Sequence, residues 1–501
     1  MKKTDSESPG RGRKLRESLL RSVLAMALVL SGCNFAPKYD RPQAPVPAEW
    51  PSGPAYANAQ PATVTPEAPD LKWQEFFSDP KLQQLIATAL ANNRDLRVAA
   101  LNVELSRGLY GIQRAELLPT ADATASANVQ RYPASISPTG TAVTVEQYRV
   151  HLGVFAWEPD FFGRIRNFSE RALQEYLATA QARRSVQILL VSSVANAYLV
   201  LAADRESLAL AQTTLETQQG AYNLVKRLYD RGVRPELDVY RAQTQVDAAR
   251  ADVARYTQVV AQDENALTLL LGGAAPGDLL PANLHGVVPP KEISAGVSSE
   301  VLLRRPDVLG AESLLKAAYA DLGAARAAFF PRITLTGTLG VASDELSGLF
   351  KSGSGAWSFA PQAVLPIFDP RVWSGLKITE VQRQTAVAQY ERAIQSAFRE
   401  VADALAVQGT VHRQVAAQES LVKAVAATYR LAEARYNGGV DSYLSVLDAQ
   451  RSLYGAQQGL VALRLARLAS QVRLYAVLGG GGDPPSAGPE PQTRPGQHAQ
   501  R

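Results

Sequence analysis

Only one cysteine, Cys33, occurs in the 501 residues, so the chain can form no internal disulfide. Its four histidines, His151, His285, His412 and His498, are scattered and show no metal-ligand spacing. The run Lys351-Ser352-Gly353-Ser354-Gly355 has loop composition and lacks the strand-turn-helix setting of a nucleophile elbow. An enzyme therefore finds little support, and no metal or small-molecule cofactor is expected. Proline is missing from Asp160 to Arg234 and again from Arg371 to Asp483. That absence permits helices far longer than a globular core needs: residues 164–229 would span roughly 100 Å at about 1.5 Å per residue. One run of nineteen uncharged residues, Ser185 to Ala203, is just long enough to cross a bilayer. It contains Gln187, Ser192, Ser193 and Asn196 between charged helical flanks, so a buried section of a coiled coil is expected there. Excess charge of one sign is also missing once the N-terminus is set apart. Seven of the 52 basic and three of the 47 acidic side chains fall in residues 1–32, and the remainder carries 45 and 44. The formal charge of +5 is thus no argument for a nucleic-acid partner.

What is present begins with that leader. Lys2, Lys3, Arg11, Arg13, Lys14, Arg16 and Arg21 precede an apolar core from Val23 to Leu30, and then Leu30-Ser31-Gly32-Cys33. This is the layout of a secretory signal, too short to serve as a mature spanning helix. The last four residues resemble a bacterial lipobox, which would place diacylglycerol and an N-acyl lipid on Cys33; an ordinary signal with an incidental cysteine is the alternative. Asn34, not aspartate, follows, which favours sorting to the outer membrane.

The remaining sequence is written twice. Tyr229-Asp230-Arg231-Gly232-Val233, Leu237-Asp238-Val239 and Ala242-Gln243 return 207 residues later as Tyr436-Asn437-Gly438-Gly439-Val440, Leu444-Ser445-Val446 and Ala449-Gln450. The same offset carries Leu271-Gly272-Gly273 to Leu478-Gly479-Gly480, and Pro159, Phe161 and Arg164 to Pro366, Phe368 and Arg371. Upstream the offset is 212, pairing Asp95 with Asp307, Arg114 with Arg326 and Pro119 with Pro331. Such duplication must be read before any fold is assigned. Each copy predicts a helical segment (about 81–117 and 308–329), two strands, a very long helix, a Gly-Val turn and a second long helix. Ala242, Val246, Ala249, Val253, Tyr256, Val260 and Leu267 form a heptad-like seam. Ala449, Leu453, Ala456, Leu460, Leu463 and Leu474 are its counterpart, with Arg467 and Ser470 interrupting.

The strands alternate. From Thr120 to Gln130, Ala121, Ala123, Ala125, Ala127 and Val129 oppose small polar residues. Ile333, Leu335, Gly337, Leu339 and Val341 repeat the pattern, and the return strands carry it through Tyr148, Val150, Leu152, Val154 and Ala156 and through Trp357, Phe359, Pro361 and Ala363. About ten residues, apolar on one side and polar on the other, fit a transmembrane barrel with a wet lumen, and also fit a soluble hairpin covering a core. Trp157, Phe161, Phe162, Phe368 and Trp373 cluster at the strand-to-helix junctions, where an interfacial girdle would sit. Pro361 predicts a bulge or strand end. Four strands cannot close a barrel and lipid tolerates no open edge, so the barrel reading demands several subunits.

Taken in order, Cys33 with Pro37, Tyr39, Arg41-Pro42 and Pro45-Val46-Pro47, then Arg304-Arg305-Pro306-Asp307 with Ala311-Glu312, Phe330-Pro331, and Gly439-Val440 through Leu447-Asp448-Ala449-Gln450 resemble the TolC-like outer-membrane efflux channels. The match is to the lipoprotein branch similar to OprM and NodT, and covers the chain to about Gly480. The resemblance implies a mainly α fold with a transmembrane β-barrel part: a homotrimer with four strands per protomer in a twelve-stranded barrel and a periplasmic coiled-coil tunnel. It implies an exit duct of a tripartite efflux pump for small toxic compounds, with a periplasmic adaptor and an inner-membrane transporter, often of the resistance-nodulation-division class. Adaptor docking would fall on Gly232-Val233 and Gly439-Val440, and the periplasmic gate on Leu444 and Asp448 with Tyr436 beside it. Asp448 also reads simply as a solvated acid near a helix N-terminus. Asp441 and Ser445 depart from TolC-type positions held by arginine and aspartate, so the salt links of those members are not carried over. A type I protein-secretion duct and a pore-less periplasmic scaffold remain as alternatives. The expected organisation is a signal peptide at 1–32, a lipid-anchored extension at 33–79, a first repeat at 80–273, a linker at 274–298, a second repeat at 299–480 and a disordered tail at 481–501.

Overall fold

The computed structural model describes residues 34–57, 71–138, 140–293, 295 and 298–482. The leader, Cys33 and residues 483–501 lie outside the described residues. In chain order the main elements are α1 (Pro80–Asn92), α2 (Arg94–Ala115), β1 (Asp122–Tyr132), β2 (Val143–Trp157), α3 (Arg164–Asp230) and α4 (Glu236–Leu271). Then come α5 (Pro306–Ala327), β3 (Arg332–Ser343), β4 (Gly355–Val364), α6 (Pro370–Asn437) and α7 (Tyr443–Val477). The first proline-free stretch holds one unbroken helix of 67 residues, α3, and the second holds α6, of 68 residues, followed by a turn and α7. Helical sequence at 81–117 divides at Asn93, whose side chain accepts the Leu96 N–H while its amide donates to Leu270 O at 3.0 Å. Asn93 thereby caps α2 at its N-terminus and ties it to the end of α4.

Packing divides the chain into two compact units. The larger holds 43–102, 179–310 and 391 onward. Its core gathers Phe76, Phe77, Leu85, Ile86, Val194, Tyr198, Leu201, Leu267 and Leu271. Phe76 stacks on Tyr475 with centroids 3.9 Å apart, and the Tyr475 hydroxyl donates to Leu71 O at 2.6 Å. Asp79 caps α1 by accepting from Lys81 and Leu82 N–H, with Pro80 at the first helical position. Helix α3 contains one window apolar enough for a bilayer, and 61% of it is buried inside the protein. The Ser185–Ala203 stretch is therefore core, with Val191, Val194, Ala195 and Tyr198 all but fully covered. Arg304-Arg305-Pro306-Asp307 also gains a structural reason. Arg305, 8% exposed, bridges Asp307 and Glu400 and donates to Val477 O, so it joins the start of α5 to α6 and α7. Of the α4 seam, Ala242, Val246, Ala249 and Leu267 are buried; in α7 the buried positions include Ala449, Ala456, Val461, Leu468 and Leu474. Ser470 interrupts that stripe without penalty because its hydroxyl donates back to Arg467 O.

The smaller unit holds residues up to Pro42, 103–178 and 311–390. Its sheet has the order β1-β2-β3-β4, antiparallel throughout. The N-terminal segment lies against α5 and the start of β3. Phe35 stacks on Phe330 at 4.3 Å, and Ala36 passes so close to Gly323 that a Cβ there would meet it at 2.7 Å. Tyr39 and Arg41 both hydrogen-bond the buried Glu312. The break expected at Pro361 is absent: β4 keeps register through Leu335↔Pro361. Within the protomer β4 ladders to β3 alone, and Pro361 sits in that ladder without a register shift. The irregularity falls instead on β2, between Val154 and Trp157, where Ala156 takes φ +51° and donates its N–H to Thr336 Oγ1.

Candidate functional site

Two regions carry the chemistry expected of a duct. The first is the end of the larger unit where α3 turns into α4 and α6 into α7. Both turns are built alike. Val233 N–H returns to Leu228 O and Gly232 N–H to Tyr229 O, matched by Val440 to Arg435 and Gly439 to Tyr436. These are paired Schellman closures, and they need a left-handed residue after the helix end: Gly232 has φ +76° and Gly439 φ +75°. Both valines that follow are left exposed, Val233 at 63% and Val440 at 66%. Between the hairpins lies a small core of Val225, Ala242, Tyr436, Tyr443, Val446 and Leu447. Tyr436 sits inside it, its ring 5.2 Å from Tyr443 and capped by the Arg234 guanidinium at 4.5 Å. Burial raises the Tyr436 hydroxyl above its ordinary pKa and pushes Tyr443 up to about 12.

Leu444 and Asp448 stand one turn apart on the opposite, exposed face of α7. The structure thus brings these two together and places Tyr436 behind them in the hairpin core. Asp448 pairs with Arg451 on its own helix. Asp441 is held by Arg435 at 2.5 Å, and that guanidinium keeps its carboxyl below the usual range. Neither intrahelical nor cross-turn partner was foreseen from sequence, although both pairs are local. Also missed was a stripe on α2: Val98, Leu101, Leu105, Leu109 and Ile112, spaced by three and four, are each more than half exposed.

The second region is the sheet. All of β4 and all of β1 but Tyr132 are exposed, so these strands have neither face covered in the protomer. The register places Val129, Leu152, Leu339, Trp357 and Phe359 on one face and Ser126, Arg149, Thr338 and Ser358 on the other. Leu152, Leu339 and Trp357 are aligned across three strands, with Leu339 70% and Trp357 77% exposed. Such an apolar face is far too costly to leave in water. The junction aromatics behave unequally: Phe162 stacks on Phe330, Trp157 donates its indole N–H to Leu117 O, Trp373 meets Phe329 edge-on while staying exposed, and Phe368 is open. At their foot Glu158 receives both Arg164 and Arg332, at 2.7 and 2.6 Å.

The outer membrane efflux protein family model matches residues 85–273 and again 297–480. The chain belongs to that family. The toluene efflux pump outer membrane protein TtgC of Pseudomonas putida is 49% identical over 468 residues, 93% of this chain and 96% of that protein. Outer membrane protein OprJ of Pseudomonas aeruginosa is 42% identical over 465 residues, with 92% and 96% covered. Among solved structures, the open-state MtrE outer membrane channel of Neisseria gonorrhoeae superposes with a TM-score of 0.81 at 38% identity, covering 90% of this chain and 98% of that one. As an efflux protein of this family the chain is an outer-membrane channel component, and its helices and strands are those of a TolC-like tunnel and barrel. In that setting the uncovered apolar face of the sheet has a solvent, the hydrocarbon of the bilayer, and the polar face has a lumen.

Proposed function

We propose that the chain forms the passive exit duct of a tripartite pump, three copies closing one twelve-stranded barrel, and that it conducts without catalysis of its own. The sheet carries this reading: four strands with two open edges and an uncovered apolar face cannot stand in lipid unless neighbours complete them. The exposed stripe on α2 supplies an apolar helix face for a neighbouring copy. Lipid on Cys33 would anchor the chain beside the barrel, since the residues just after it are held by Phe330, Gly323 and Glu312. Val233 and Val440, presented on rigid glycine turns, suit an adaptor; the inner-membrane transporter, of resistance-nodulation-division type, supplies energy and selects cargo. Leu444 and Asp448 form the gate, with Tyr436 acting from behind by fixing the hairpin. A cargo of small lipophilic toxicants is in keeping with the toluene efflux relative.

The test is export in cells. Val233→Asp with Val440→Asp removes both apolar tips without touching the glycines. Accumulation of a lipophilic dye should rise to the level of a deletion strain while the protein remains trimeric in the outer membrane; export at the wild-type rate would remove the tips from the docking role.

A further inference from the structure

On the polar face of the sheet the strands carry few charges. The register leaves Asp122 on β1, Arg149 on β2 and Arg332 on β3, with no ionisable acid or lysine on β4. Arg332 is neutralised by Glu158 at 2.6 Å. Asp122 pairs across with Gly153, four residues along β2 from Arg149, which is about 13 Å at 3.3 Å per residue and beyond a Debye length at physiological salt. Arg149 is exposed and has no hydrogen-bond or ion-pair partner among the described residues. It opens into a groove of about 540 Å³ lined also by Gln147, His151, Thr336, Thr338 and Ser358. The floor of that groove is kept flat by Gly340, where a Cβ would meet Val150 O at 2.1 Å. Asp344 and Glu345 lie beyond the end of β3, in its connection to β4.

A guanidinium held in water with no carboxylate beside it is an unused cation. A cross-strand partner of opposite sign would stabilise a charged side chain on a sheet; here the cross-strand neighbours are Ser126 and Ala342. We propose that Arg149 sets charge selectivity in the barrel lumen, drawing small anionic solutes, inorganic or organic, through the outer-membrane part of the duct. The inference rests on the trimeric closure proposed above, which turns one arginine into a ring of three. Three unit charges about 10 Å from the axis, screened over a Debye length of about 10 Å, concentrate a monovalent anion on the order of twofold and exclude a cation by the same factor. Charged rings of this kind decide which ions enter a pore.

The purified trimer is reconstituted in planar bilayers, and reversal potentials are read across a KCl gradient near 0.1 M. Measurements are made in the wild-type and in an Asp448→Ala background, because the gate acids bear on the same ratio. Arg149→Gln should raise the potassium-to-chloride permeability ratio about fourfold in both backgrounds, Arg149→Glu should raise it further, and Arg149→Lys should restore the wild-type value. Near 1 M KCl the difference should collapse, which a purely structural effect of the substitution would not do. A conducting trimer whose ratio is the same with Arg149 and with glutamine overturns this inference alone. Absence of any conductance overturns the trimeric duct, and this inference with it.

Discussion

Thr338 and Leu339 are neighbours in β3 whose side chains leave opposite faces of the sheet, and their tolerance to charge separates a bilayer-spanning sheet from a soluble one. Leu339 is in register with Leu152 and Trp357 at mid-strand. An arginine on a lipid-facing barrel position near mid-depth costs about 2–4 kcal/mol. Three copies bring this to about 6–12 kcal/mol per trimer, comparable with the whole stability of an ordinary domain. Thr338→Lys faces the lumen and loses only the exposed hydroxyl bond to Ser358 at 2.7 Å, about 1 kcal/mol or less. Trimer recovered from the outer membrane, and the urea midpoint for its dissociation in detergent, should fall sharply for Leu339→Arg and barely for Thr338→Lys. In the protomer Leu339 is 70% exposed, so a sheet standing in water would accept the arginine freely. Equal behaviour of the two variants would refute the assignment of faces and the membrane reading with it.

Glu312 should behave as the clasp of the N-terminal segment. Burial opposes its charge, but hydrogen bonds from Arg41, Lys316 and Tyr39 outweigh that and hold the carboxyl below its ordinary pKa. Its stabilisation is present above the unfolded carboxyl pKa and is lost as pH falls through the lower folded value. Glu312→Ala should cost about 1–2 kcal/mol, because the cations it leaves unpaired are partly solvated, and limited proteolysis should then cut near residue 40; unchanged protection would contradict it. Asp263 works in the other direction: burial and the facing Asp204 raise its carboxyl to about 7. A raised acid binds more protons folded than unfolded, so stability gained below the unfolded pKa near 4 is lost progressively as pH rises to 7. A shift of about three units is about 4 kcal/mol at face value, and solvent screening of a partly exposed group reduces it to about 1–2. Thermal unfolding at pH 5 and pH 8 should differ for the wild type in that sense, and Asp263→Asn should remove most of the difference.

Much of this architecture is legible in sequence because its determinants are local or periodic. Strand alternation shows which residues share a face except across the β2 irregularity that displaces Ala156, and the missing prolines mark both ends of α3 and the start of α6 to within a few residues. Gly232 and Gly439 announce the turns because only a left-handed residue closes them. What sequence could not supply is partnership across long separations. Arg305 meets Glu400 and Val477, 95 and 172 residues away, and nothing in the motif Arg305-Pro306-Asp307 names them. The family resemblance puts Tyr436 beside the gate, but its direction depends on packing against Tyr443 of its own hairpin and Val225 of the other. Pro361 misled for a related reason: its cost depends on whether its nitrogen faces a ladder position that needs an N–H, which is a property of the sheet register. The stripe at Val98, Leu101, Leu105, Leu109 and Ile112 was visible by its spacing and is informative only once its exposure is known.

The central claim is a gated conduit, and single-channel recording of the purified trimer tests it most directly. The wild type should show discrete current steps with a low resting level, and Leu444→Ser combined with Asp448→Ala should raise that level several-fold by removing the apolar and acidic residues proposed as the gate. A trimer that carries no current would contradict the conduit itself, and a conducting trimer unaffected by the pair would place its gate elsewhere.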